Sequence, residues 1–119
     1  MKKFLIPALL MITTAISSAD FRHVVLFKFK DGATAEQVAV IEKAFGELPS
    51  KIDTIKYYEW GTSESVEQKN DGFTHCFFVT FENKAGLEAY IPHPAHVEFK
   101  KLLDGVLEKA LVFDYTAKE

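Results

Sequence analysis

The stretch His23-Val24-Val25-Leu26-Phe27-Lys28-Phe29-Lys30 decides the fold. Its odd positions, His23, Val25, Phe27 and Phe29, make one apolar face with an imidazole at its start. Its even positions, Val24, Leu26, Lys28 and Lys30, are half apolar. Successive side chains of a strand point to opposite sides of a sheet, so this alternation predicts a β-strand, and Asp31-Gly32 ends it as a turn. A similar run, Phe73 to Phe81, sets Phe73, His75, Phe77, Val79 and Phe81 on one face and Phe78 on the other.

Working outward, Thr34 reads as a helix N-cap with Gln37 as its capping-box partner. Val38, Ile41, Phe45 and Leu48 then recur at helical spacing, and Pro49 is expected to stop the helix. Ile52 to Trp60 reads as a second strand ending at Gly61, and Thr62 to Asp71 as a polar loop. Lys84 to Ile91 is a short helix closed by Pro92. Pro94 opens another, which Phe99, Leu102, Leu103 and Val106 extend to a bend near Gly105. Ala110 to Thr116 is the last strand. The order strand, helix, strand, strand, helix pair, strand is a ferredoxin-like α+β split βαβ pattern with a four-stranded antiparallel sheet.

A helix layer covers only one face of such a sheet. Here large apolar residues occupy both: Phe77 and Phe81 against Phe78, Phe27 against Leu26, Phe113 against Val112. Apolar patches of this size are rare on monomers, so a homodimer pairing its sheets face to face, an α/β barrel, is expected.

Residues 1–19 read as an address rather than as part of that domain. Met1-Lys2-Lys3 is a positive start, Phe4 to Ile16 is mostly apolar, and Ser17-Ser18-Ala19 supplies small residues before a cut. The apolar run is shorter than the roughly 20 residues of a membrane-spanning helix. The expectation is a signal peptide at 1–19, a single domain at 20–119, and an exported protein, periplasmic or secreted, with no membrane association after cleavage. A net charge of −3 on the full chain opposes nucleic-acid binding. One cysteine, Cys76, excludes an intramolecular disulfide and a Cys-rich zinc site. An apolar content of 48% against 26% charged residues is globular.

The opening His23 strand with Asp31, the segment Tyr90-Ile91-Pro92-His93-Pro94-Ala95-His96-Val97 with Phe99, and the closing Phe113-Asp114-Tyr115 together resemble the stress-responsive dimeric α/β barrel (Dabb) family over Arg22 to Ala117. The resemblance implies a ferredoxin-like protomer dimerised through its sheets. The family includes a plant olivetolic acid cyclase, which closes a linear polyketide by aldol condensation. By that resemblance, the catalytic base falls on His96 and its paired tyrosine on Tyr90, with further cavity histidines at His23, His75 and His93.

From the residues themselves, His23 shares a strand face with Phe27, and His75 shares one with Phe77, so both imidazoles point to an apolar layer that is expected to contact ligand. An imidazole there has its charged form disfavoured and stays a neutral base near pH 7. With a tyrosine hydroxyl beside it, it has the groups needed to abstract a proton next to a carbonyl. The plainer alternative makes His23 and His75 satisfied core groups and His93 a helix cap. No metal site is expected, since the helical i, i+4 histidine pair with its glutamate is absent, and no cofactor is implied. Three functions stay open: a dimeric barrel binding a small, mostly apolar molecule; an acid–base enzyme, cyclase- or isomerase-like, acting on a carbonyl compound through His96 and Tyr90; and an interaction module without a pocket.

Overall fold

A computed structural model describes residues 19–119; the expected leader, Ala19 apart, lies outside the described residues. The elements are β1 (Phe21–Phe29), α1 (Ala35–Lys51), β2 (Ile55–Thr62), β3 (His75–Phe81), α2 (Lys84–Tyr90), α3 (Pro94–Lys101) and β4 (Leu107–Thr116). The strands form one antiparallel sheet in the order β2-β3-β1-β4. This is the expected ferredoxin-like α+β architecture.

Helix α1 starts where its capping box places it. Gln37 N–H donates to Thr34 Oγ1 at 3.1 Å, and Thr34 N–H donates to Gln37 Oε1 at 2.9 Å. Its stripe Ile41, Phe45 and Leu48 is buried. Pro49 does not stop it. A proline so near the end removes one internal hydrogen bond, and Ile52 N–H still closes on the Leu48 carbonyl at 2.9 Å. The helix therefore runs to Lys51, and Ile52 is a buried cap rather than the first residue of β2. Helix α3 ends at Lys101, earlier than its apolar spacing suggests. Gly105, with φ at 78°, turns the chain so that Val106 is buried and β4 begins at Leu107.

Register fixes the faces. His23 lies beside Val79 and Asp114, Val25 beside Phe77 and Val112, and Phe27 beside His75 and Ala110. These residues face the helices. The Phe45 ring stacks on Phe77 with centroids 4.2 Å apart and meets the Phe99 edge at 5.0 Å, which ties α1 and α3 to the sheet. On the other face, Val24 pairs with Phe78 and Phe113, and Leu26 with Cys76 and Leu111. No element of the described chain covers that face. Phe113 is 67% exposed and Leu111 46%.

Candidate functional site

A cavity of about 280 Å³ lies between the sheet and the helices. Its apolar wall includes Val25 and Phe27 from β1, Phe45 from α1, Phe99 from α3 and Val112 from β4. Among these stand His23, Tyr90, His96, Lys100 and Asp114. A small apolar chamber with a few convergent polar groups is the usual composition of a small-molecule site, and its volume falls just below a range that begins at about 300 Å³. The chamber lies inside one protomer, on the helix side of the sheet, and not in a space between two sheets.

The turn between α2 and α3 brings Tyr90 and His96 together. His93 N–H closes on the Tyr90 carbonyl at 3.1 Å. Pro94 stands at the start of α3, where its missing N–H costs nothing. The Tyr90 and His96 ring centroids are then 4.3 Å apart. His96 Nδ1–H donates to the Ile91 carbonyl at 2.9 Å. That bond fixes the neutral tautomer and leaves the Nε2 lone pair free to accept a proton. Burial lowers the His96 pKa below its usual 6.5; the Ile91 bond opposes the shift and the Lys100 charge adds to it. Burial, with Tyr58 nearby, pushes the Tyr90 hydroxyl well above the ordinary phenol range, so it is a neutral donor.

His23 completes the cluster, its ring 5.7 Å from that of Tyr90 and edge-on to it. Its Nδ1–H donates to Asp114 Oδ1 at 2.6 Å. The bond follows from strand register, because His23 and Asp114 are direct partners across β1 and β4.

Of the residues expected to meet ligand, Phe27, His23, Tyr90 and His96 line this chamber, and His75, His93 and Phe77 do not. Phe77 is fully buried under Phe45. His93 caps α3, its Nδ1 accepting from Ala95 N–H at 3.0 Å. His75 is held between α1 and β3: its Nε2–H donates to Glu42 Oε2 at 2.7 Å, and its Nδ1 accepts from the Thr74 hydroxyl at 2.8 Å. An imidazole bonded at both nitrogens is a satisfied core group. Asp114 and Lys100 are chamber residues that periodicity alone did not single out. The signal for Asp114 was a lone carboxylate in the apolar run Leu111-Val112-Phe113-Asp114-Tyr115.

Larger grooves exist but lack this chemistry. One of about 640 Å³ is lined by Asp53, Lys56 and Glu82, and one of about 400 Å³ by Lys69, His75 and Cys76. Neither contains the tyrosine–histidine pair. Among the described residues, no three His, Cys, Asp or Glu side chains are grouped to hold a metal.

Residues 21–117 match the family model of the stress responsive A/B barrel domain. The chain belongs to this family. A stress-response A/B barrel domain-containing protein of Arabidopsis thaliana is 43% identical over 94 residues, covering 79% of this chain and 86% of that protein. Olivetolic acid cyclase of Cannabis sativa is 37% identical over 98 residues, covering 82% and 97%. Among solved structures, hydroxynitrile lyase of Passiflora edulis superimposes with a TM-score of 0.79 at 30% identity, covering 85% of this chain and 95% of that one. A dimeric ferredoxin-like protein of unknown function from Bacteroides fragilis superimposes with a TM-score of 0.67 at 28% identity, covering 82% and 96%. The proteins it resembles thus include a cyclase, a hydroxynitrile lyase and a protein described as dimeric.

Proposed function

We propose that this protein is an exported homodimer that binds a small, mostly apolar molecule in the chamber of each protomer. The observation that carries the binding is the chamber itself, a partly open apolar cavity lined by Tyr90, His96 and His23. A module without a pocket has no use for such a space. Dimerisation is supported by the uncovered apolar sheet face and by the dimeric relative in structure. Export is supported by the leader pattern of residues 1–19. Native mass spectrometry of protein purified from its own host tests all three. The expected species is twice the mass of residues 20–119 with a small organic mass retained. A bare single chain contradicts the proposal.

A second reading is favoured by the state of His96, and by the cyclase and hydroxynitrile lyase relatives. With Nδ1–H committed to Ile91, Nε2 is left as the base of a ring that lines the apolar chamber next to the Tyr90 ring. In this reading His96 takes the proton next to a bound carbonyl, and Tyr90 donates a hydrogen bond to the oxygen on which negative charge develops. Deuterium uptake from D₂O into the α-positions of 2-octanone, followed by NMR, tests this. Uptake above the buffer rate that disappears in His96→Ala supports it, and uptake at the buffer rate contradicts it.

A further inference from the structure

We infer that the chamber selects an anionic amphiphile, a carboxylate with an apolar body, and that Lys100 is the residue that reads the charge. This rests on the proposal that the chamber is a ligand site, and it adds the ligand's charge class. Lys100 lines the chamber although its residue surface is exposed, and its charge acts on His96, which lines the same chamber. It follows His96 by four residues on α3, and side chains at that spacing share one face of a helix. The next residue, Lys101, is paired with Glu98 at 2.8 Å, whereas Lys100 makes no ion pair among the described residues.

The remaining polar groups of the chamber do not answer that charge. Asp114 is engaged by His23 at 2.6 Å. Tyr90 is a neutral hydroxyl, and His96 is held toward its neutral form. A cation next to an apolar chamber, with the one carboxylate already bonded, matches a ligand carrying a single negative charge at one end. Such a ligand places its chain against Phe27, Phe45 and Phe99 and its carboxylate at Lys100. A charge-assisted bond at a partly desolvated mouth discriminates more strongly than one between neutral groups.

Titration calorimetry with octanoate and octanamide, which share chain and carbonyl but differ in charge, tests the inference. The intact protein is expected to bind octanoate about tenfold more tightly than octanamide, the ratio that one added charge-assisted bond supplies. Lys100→Met should erase the difference and Lys100→Glu should reverse it. Lys100 is exposed, so both variants should melt at the parent temperature. Equal affinities in the parent, or a preference that survives Lys100→Met, overturn the inference and leave the chamber a ligand site. Absence of binding by either compound overturns the chamber proposal and the inference together.

Discussion

Phe77 and Phe113 are the same side chain on the two faces of one sheet. Phe77 is fully buried under α1 and stacks on Phe45; Phe113 is 67% exposed. The covered face is finished within a single chain. It holds the core and also a chamber, because α2 and α3 do not fill the space above β1 and β4. The opposite face carries Leu111, Phe113, Tyr115 and Tyr57, all exposed, with no helix to meet them. Similar hydrophobicity has two outcomes: one face packs internally and encloses a site, and the other is left for a second molecule.

This contrast is open to test by substitution. The largest effect is expected from Phe77→Ala, which should cost about 3–5 kcal/mol of folding stability by urea denaturation, as deletion of a core ring does. Phe113→Ala should change the stability of the isolated chain by less than about 0.5 kcal/mol, because an exposed ring away from special features contributes little to folding. Equal losses at the two positions would break the contrast.

His96→Ala should slow any α-proton exchange by about 10²-fold or more, the usual contribution of a positioned base, with no change of mass in solution. Because the His96 pKa lies below 6.5, its base form persists to lower pH than that of an ordinary histidine. Exchange should therefore hold to a lower pH than an ordinary histidine allows, and fall only as protonation removes the free lone pair. A rate that falls already between pH 8 and 7 contradicts this assignment.

Asp114→Asn removes a charged acceptor from a buried imidazole and should cost about 1–3 kcal/mol in the same urea measurement. Its neighbour in sequence, Phe113, points to the other face, so Asp114→Asn should leave self-association unchanged. One further substitution is expected to act with the opposite sign. The Tyr58 hydroxyl is buried with no hydrogen-bond partner among the described residues. Tyr58→Phe should therefore raise stability by about 1 kcal/mol, since a buried donor left unsatisfied is a cost.

The sheet, its two apolar faces and the capped α1 were legible because they are periodic or local. Val25 and Phe27 announce a face by alternation, and Thr34 with Gln37 announces a helix start. Helix ends were less so. Pro49 lies where a single lost bond is tolerated, and Gly105 ends α3 through a left-handed turn that apolar spacing does not register. The site was half legible. Tyr90 and His96 are six residues apart across one turn, which the sequence places together. The bonds from His23 to Asp114 and from His75 to Glu42 join positions far apart in the chain. Only strand register and helix docking bring such partners together, and they separate a chamber histidine from a core one.

Sedimentation velocity of the protein spanning residues 20–119 at micromolar concentration, beside its Phe113→Asp variant, tests the division of labour between the two faces most directly. The parent should sediment at twice the chain mass and the variant at the chain mass, with both folded. A parent that sediments as a single chain contradicts the pairing of its open sheet face.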